Sequence, residues 1–167
     1  MKKSINNGFT IIEFLVYISI LAIAVNAMGG VALNVFKVGA RTDAIQEVAH
    51  NGRFAMQRIG QAVKSASAVL SPETEGGVLT LEFAEADKNP TIFDVSESVL
   101  RIKEGNKGYV GLTSSEVDVK SLKFSRVSLS GLDSVEIEMD ISFNNQKELP
   151  EYDFENFFVG AFTVEGK

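Results

Sequence analysis

Residues 9–28 read FTIIEFLVYISILAIAVNAM, an apolar run of twenty residues that contains a single carboxylate, Glu13. A helix of this length crosses a hydrocarbon core of about 30 Å, so the run predicts a membrane-spanning helix. Lys2 and Lys3 precede the run, and no further Lys or Arg occurs before Lys37. Because positive charge is retained on the cytoplasmic side of a membrane, we expect the N-terminus inside the cell and the rest of the chain outside.

Two simpler interpretations of this run are an ordinary secretory signal and a plain membrane anchor. A signal has an apolar core of about 7–15 residues that ends in a small-residue cleavage site. Here the run is longer and continues into the apolar residues 31–38 without a polar break. A carboxylate in the middle of a membrane helix costs about 2.5–3.5 kcal/mol on insertion scales, so such residues usually have a partner. Glu13 lies close to the start of the run, which lowers that cost without removing it.

The stretch from Gly8 to Val16, GFTIIEFLV, resembles the cleavage and methylation signature of type IV prepilins and type II secretion pseudopilins. The resemblance implies that a prepilin peptidase cuts between Gly8 and Phe9 on the cytoplasmic face, that Phe9 is N-methylated, and that residues 1–8 are a leader. It also implies that Glu13 aligns an incoming subunit by pairing with the N-terminal amine of its neighbour. An ammonium partner in a low-dielectric helix bundle offsets the burial of a lone carboxylate.

The sequence departs from the family pattern at Gly29-Gly30. Many pilins have a proline a little over twenty residues into the mature chain, and this chain has the two glycines there instead. Each glycine weakens a helix by about 1 kcal/mol relative to alanine, which favours local unwinding during assembly. Close packing of small residues between membrane helices is the alternative, and the sequence leaves both open.

From residue 29 to about residue 70 the pattern remains helical but becomes amphipathic. The apolar stripe consists of Ile45, Val48, Gly52, Ala55, Ile59, Ala62, Ala66 and Val69. The side chains expected off the stripe are Gln46, Glu47, Asn51, Arg58 and Lys64. Pro72 disfavours a helical conformation at Ser71, so we expect one helix from Phe9 to about Leu70, roughly 90 Å long. A coiled coil is the alternative, but its charge pattern is not evident.

After Pro72 the apolar period changes to two, which predicts consecutive strands joined by short turns in an antiparallel sheet. The expected strands are residues 78–83, 91–95, 99–103, 109–112, 117–129, 134–143 and 157–164, with a hairpin turn at residues 130–133. The expected fold class is α+β, with a long N-terminal helix packed on an antiparallel β-sheet. A helix followed by such a meander resembles the pilin-like fold, more weakly than the N-terminal motif does.

The composition excludes several kinds of site. The chain has no cysteine, which removes disulfides, thiolate metal sites and cysteine nucleophiles. Its one histidine, His50, is interpreted as a helix-surface residue. The net charge of −6 and the scattered basic residues argue against nucleic acid as a partner. No catalytic motif is present, so we predict no enzyme activity, no cofactor and no metal site.

Two groups of acidic residues are candidate sites. Glu136, Glu138 and Asp140 alternate along one strand, which predicts a solvated outer face opposite Val135, Ile137, Met139 and Ile141. Four further carboxylates crowd the loop 148–155, namely Glu148, Glu151, Asp153 and Glu155. Calcium binding there is an alternative to a solvated loop, although the spacing is not that of an EF-hand.

The sequence therefore predicts four segments: a cleaved leader at 1–8, a transmembrane and filament-core helix half at 9–28, an amphipathic helix half at 29–70, and a sheet domain at 71–167. The expected function is that of a structural subunit, of the minor class, in a type IV pilus, competence pilus or type II secretion pseudopilus. Its expected partners are copies of itself or other pilins, the prepilin peptidase and the cytoplasmic membrane. We expect it in that membrane before assembly and in a cell-surface or periplasmic filament afterwards. The alternative is a single-pass, membrane-anchored extracytoplasmic binding domain that does not polymerise.

Overall fold

The computed structural model describes residues 10–129 and 132–165, and within those ranges the chain is α+β, as expected. The chain divides into two compact units, Met1–Gly39 and Ala40–Lys167. In chain order the elements are the helix α1 (Ile11–Ser65), the strands β1 (Ala68–Ser71), β2 (Glu75–Gly76), β3 (Leu79–Glu82), β4 (Thr91–Ser96), β5 (Val99–Glu104), β6 (Val110–Gly111), β7 (Val117–Leu129) and β8 (Leu132–Phe143), a 3-10 helix (Pro150–Tyr152), and the strand β9 (Glu155–Thr163).

The helix ends at Ser65, so the prediction that it continues to about Leu70 is wrong. The chain turns after this point: the Ala66 N–H donates to the Val63 carbonyl at 3.2 Å, and the Ser67 N–H donates to Glu82 at 2.7 Å. Residues 68–71 then form β1, antiparallel to β3. Val69 is buried in this strand, not on the helix stripe. Its position in the sequence fits both the helical spacing and a strand, which explains the error.

The strands are antiparallel, as predicted, but they form two sheets where one was expected. One sheet has the order β1-β3-β4-β5-β6 and the other has the order β2-β7-β8-β9. The first sheet ends at β6, which has only two residues. Beyond it the Leu112 N–H donates to the Leu100 carbonyl at 2.7 Å, and the Leu100 N–H donates to the Thr113 hydroxyl at 3.1 Å. The two predicted strands with the clearest alternation, β7 and β8, pair along their whole length.

The second half of α1 packs into one apolar cluster with strands of both sheets. The predicted stripe is confirmed at Val48, Gly52, Ala55 and Ile59, which are all buried. Ile45 is 37% exposed, so the stripe is covered only from about Val48 onward. The largest fully buried side chains opposite the helix are Phe93 from β4 and Phe124 from β7. Burial of a side chain of this size contributes about 1.5–3 kcal/mol each to the free energy of unfolding.

Asn51 was expected off the stripe, and that prediction is wrong, because its side chain is only 5% exposed. Its amide nitrogen donates to the carbonyl and to the carboxylate of Glu47, both at 2.9 Å. Its amide oxygen accepts the Ser114 N–H at 2.8 Å, and the Ser114 hydroxyl donates to Glu47 at 3.0 Å. The group ties the loop before β7 to the helix. A buried amide is tolerated here because its hydrogen-bonding groups have partners.

The last strand, β9, lies against the helix through side chains of complementary size. The rings of Phe158 and Phe162 occupy the space above Gly52 and Gly60, and Met56 occupies the space above Gly160. A Cβ at Gly52 would lie 2.1 Å from the Phe158 Cζ, and one at Gly60 would lie 2.5 Å from the Phe162 Cε1. The two helix glycines therefore set how closely β9 approaches α1.

The turn end of the β7–β8 hairpin is held by an ion pair. The Arg126 guanidinium donates two hydrogen bonds to Asp133, at 3.2 and 2.8 Å, and the Ser128 hydroxyl donates to the same carboxylate. The Ser128 hydroxyl and the Arg126 guanidinium hold the pKa of Asp133 below its usual value, against the opposing effect of burial. Leu132 and Asp133, expected in the turn, lie in β8, and the other two turn residues lie outside the described residues.

We predict that Gly52→Ala lowers the free energy of unfolding. Overpacking a filled site costs about 1–3 kcal/mol, which exceeds the gain of about 1 kcal/mol in helix propensity. The matched control is Gly39→Ala, where an added Cβ meets nothing within 4 Å. In thermal unfolding of the full chain in detergent, Gly52→Ala should lower Tm and Gly39→Ala should leave it equal or higher. Equal Tm changes in both variants would contradict the packing of Phe158 on Gly52.

Candidate functional site

The first unit contains an apolar helical surface that none of its described residues, from Thr10 to Gly39, covers. From Ile11 to Val38 every large apolar side chain is exposed, by between 48% at Ile18 and 83% at Ile11. No residue of the most apolar 18-residue window of α1 is buried. Soluble monomers rarely expose continuous apolar patches above a few hundred Å². The segment has the length and composition to span a membrane, and we call it the apolar segment.

Polar side chains within the apolar segment are bonded to the helix backbone. The Ser19 hydroxyl donates to the Leu15 carbonyl at 2.8 Å, and the Asn26 amide donates to the Ala22 carbonyl at 2.8 Å. In a hydrocarbon environment an unsatisfied donor costs several kcal/mol, and only helices and closed barrels satisfy their own backbone groups. These contacts therefore make Ser19 and Asn26 compatible with a surrounding of lipid or of other helices.

Glu13 lies in the first turn of α1, with an exposed side chain. Thr10 caps this turn: its hydroxyl accepts the Glu13 N–H at 3.3 Å, and its carbonyl accepts the Phe14 N–H at 3.2 Å. A carboxylate in this position interacts favourably with the helix dipole. Glu13 forms no ion pair with any residue in the ranges 10–129 and 132–165. The carboxylate is therefore available to a cation from outside the described chain.

The helix starts at Ile11, not at Phe9 as predicted, and Thr10 caps it, a role that was not predicted. The signal that could have identified it is the spacing of Thr10 and Glu13, which is that of a capping box. Gly8 and Phe9, the predicted cleavage site, lie outside the described residues, so processing there and methylation of Phe9 stay predictions. Among the predicted site residues, only Glu13 has a described position.

The two glycines of the apolar segment show no contact that requires them. The helix continues through Gly29 and Gly30, and a Cβ at either would meet nothing within 4 Å. Gly52 and Gly60, by contrast, accept aromatic rings from β9. Both interpretations of Gly29-Gly30 therefore stay open: unwinding during assembly, and close packing against a helix of another chain.

The acidic residues singled out from the sequence lie at the surface. On β8, Val135, Ile137, Met139 and Ile141 are buried while Glu136, Glu138 and Asp140 are exposed or partly exposed, so the predicted outer face is confirmed. The loop 148–155 contains the short helix Pro150–Tyr152. Across the described ranges, no three Asp, Glu or His side chains come together in an arrangement that could hold a metal ion. His50 is exposed on α1, in agreement with its interpretation as a surface residue.

Comparison with known proteins gives no match. No family model, no curated protein and no solved structure is similar to this chain at a significant level. The function is therefore argued from the apolar segment and the domain that follows it.

We predict that Ile18→Lys reduces the membrane association of the chain. Ile18 lies at the middle of the predicted membrane-spanning run, residues 9–28, and a lysine at the centre of a membrane helix costs about 2.5–3.5 kcal/mol. The control is Gln57→Lys, which adds the same charge to an exposed position of the second unit. In alkaline extraction of isolated membranes, the wild type and the control should stay in the pellet and Ile18→Lys should be partly released. Release of the wild type would contradict a membrane-spanning segment.

Proposed function

We propose that this chain is a structural subunit, of the minor class, of a filament of the type IV pilus, competence pilus or type II secretion pseudopilus kind. The observation that carries the proposal is the uncovered apolar segment. It belongs to the same helix whose second half is buried in a folded domain. A membrane supplies a cover for the segment before assembly, and the corresponding helices of other subunits supply one in a filament.

The exchange of lipid for other helices is physically reasonable for this segment. Lipid tails are as apolar as leucine, so helix association in this environment depends on packing and on polar contacts rather than on the hydrophobic effect. Gly29 and Gly30 leave free space on the helix surface, where another helix could approach closely. The Ser19 hydroxyl and one N–H of the Asn26 amide are bonded to the helix backbone, which lowers the cost of placing these side chains between helices.

Glu13 supports a filament over a plain anchor. In a plain anchor, a carboxylate in the first turn of an apolar helix has a cost and no partner. In a filament, the cut after Gly8 creates an amine on Phe9 of a neighbouring copy, and that amine has the charge that Glu13 lacks among the described residues. The same cut removes Lys2 and Lys3. We therefore infer that processing releases the chain for assembly and also creates the partner of Glu13.

The second unit supports the same proposal more weakly. A helix packed on antiparallel strands with short connections is what the pilin-like fold implies. In this proposal the prepilin peptidase acts on the cytoplasmic side of the cytoplasmic membrane, where residues 1–8 lie. The folded unit from Ala40 onward lies on the opposite side and becomes the outer part of a cell-surface or periplasmic filament. A membrane-anchored binding domain that never polymerises also accounts for the apolar segment, but it leaves the Glu13 carboxylate without a cationic partner.

Processing distinguishes the two functions. We expect mass spectrometry of the chain isolated from cells that contain a prepilin peptidase to find an N-terminal, methylated Phe9 and no residues 1–8. Gly8→Leu should keep the leader because a bulky side chain at the cut excludes it from the peptidase, whereas Asn6→Leu, two residues away, should be cut normally. An intact Met1 in the wild type, or a cut beyond residue 20, would contradict the proposal.

We predict that Glu13→Ala leaves processing intact and removes the chain from filaments sheared off the cell surface, because the amine of the neighbour loses its partner. Glu13→Gln keeps the shape of the side chain without its charge, so it should behave like Glu13→Ala if charge pairing is the role. The control is Asp43→Ala, at an exposed acid on the same helix in the second unit. Quantitative immunoblots of the sheared fraction give the readout. Normal incorporation of Glu13→Ala would refute the pairing.

A further inference from the structure

The exposed face of α1 in the second unit has cations without partners. His50, Arg53 and Lys64 follow one another at helical spacing with Gln57 between them, and we call this row the basic helix stripe. Arg53 and Lys64 are exposed and form no ion pair within residues 10–129 and 132–165. The nearby Arg58, in contrast, pairs with Glu104 at 3.2 Å. Eleven residues separate Arg53 from Lys64, or about 17 Å along the helix.

The outer face of β8 has the opposite charge. Glu136, Glu138 and Asp140 form what we call the acidic sheet face, and none of them is ion-paired in the described part of the chain. The one cation opposite them in the strand register, Lys123 across from Glu138, bonds instead to Glu75 at 3.2 Å. The row from Glu136 to Asp140 is about 14 Å long at the rise of an antiparallel strand. This length is close to the distance of about 17 Å between Arg53 and Lys64 along the helix.

An apolar column on β9 borders the acidic sheet face. The strand register pairs Glu136 with Ala161, Glu138 with Val159, and Asp140 with Phe157. Val159 and Phe157 are each 56% exposed. They lie on β9, which is the edge strand of its sheet. Carboxylates beside exposed apolar side chains form a mixed surface of the kind found at protein–protein contacts, where charge orients the partner and apolar contact excludes water.

The two surfaces cannot satisfy each other within one chain. The inner face of β9 packs on α1 through Phe158 and Phe162, so the acidic sheet face points away from the helix. The basic helix stripe lies on the side of α1 that is not buried by the sheets. Complementary surfaces that point in different directions on one subunit bring together two copies head to tail. Such a heterologous contact repeats from copy to copy, and gives a ring or an open helical filament.

We propose that the basic helix stripe of one copy docks on the acidic sheet face of the next copy, with Arg53 and Lys64 facing Glu136, Glu138 and Asp140. The inference rests on the proposed function, and adds to it a partner and a surface outside the apolar segment. It requires that copies of this chain follow one another in at least part of the filament.

The absence of cysteine from the chain allows a direct test by disulfide cross-linking of the full-length chain in cells. Arg53→Cys combined with Glu138→Cys places one thiol on each surface. On oxidation this variant should give a ladder of linked dimers, trimers and larger species, since each copy has both halves of the contact. Either cysteine alone should give monomers. The matched control combines Arg53→Cys with Glu97→Cys, which lies exposed in the β4–β5 turn of the other sheet, and it should give no ladder.

Charge reversal provides a second measurement. Arg53→Glu and Glu138→Arg should each reduce the amount of chain in sheared filaments by about tenfold, because each puts like charges together across the contact. The double variant restores opposite charges in reversed order and should regain most of the wild-type amount. Cleavage after Gly8 should be normal in all three variants, which shows that they reach the membrane and the peptidase.

The remaining outcomes separate this inference from the proposed function. Filaments that contain the processed chain, but with no ladder and no rescue by the double reversal, would overturn the docking surface and leave the function standing. Dimers from Arg53→Cys alone would show a two-fold contact between stripes and also overturn it. A cross-link to a subunit of different mass would show that another pilin, and not a second copy of this chain, occupies the surface, and it would overturn the inference. A wild-type chain that is uncut and absent from filaments would refute the proposed function itself.

Discussion

The structure depends on one constraint: among the described residues of the first unit, none covers the apolar segment of α1. Exposure of each large apolar side chain to water costs about 1.5–3 kcal/mol, and the segment exposes them on every side from Ile11 to Val38. No described loop or strand of the first unit offsets this cost. In the proposed function, the cover comes from lipid or from the helices of other chains. The backbone bonding of Ser19 and Asn26, the carboxylate of Glu13 and the unfilled space at Gly29-Gly30 are all consistent with such a cover.

The second half of the same helix, in contrast, is covered along one face by both sheets. Val48, Ala55 and Ile59 are fully buried, and the rings of β9 fit over Gly52 and Gly60. Glycine here weakens the isolated helix but permits close approach of an aromatic strand. One helix thus has an exposed apolar first half and a second half that forms part of a folded domain's core. In the filament proposal, the first half forms the core and the second unit forms the surface that meets the next copy.

The spacing of apolar residues predicted those parts of the fold that depend on local pattern alone. The long helix, the antiparallel pairing of β7 with β8 and the buried face of β8 all follow from spacings of 3.6 and 2 along the chain. The end of the helix did not follow, because Ala66 and Val69 fit either spacing. The division into two sheets depends on long-range pairing such as that of β2 with β7. The burial of Asn51 depends on its hydrogen bond with Ser114, sixty-three residues away. Such long-range contacts leave no local pattern.

At the candidate site, Glu13 was found from its charge, whereas the cap at Thr10 was missed although its spacing was visible.

The central claim is that the apolar segment exchanges lipid for the helices of other subunits. It is tested most directly by shearing filaments from cells, separating them from membranes on a density gradient, and quantifying this chain in each band by mass spectrometry. We expect a chain that begins at Phe9 in a filament band free of lipid, and a chain that still includes the leader only in the membrane band. A chain confined to the membrane band, with filaments that lack it, would contradict the account.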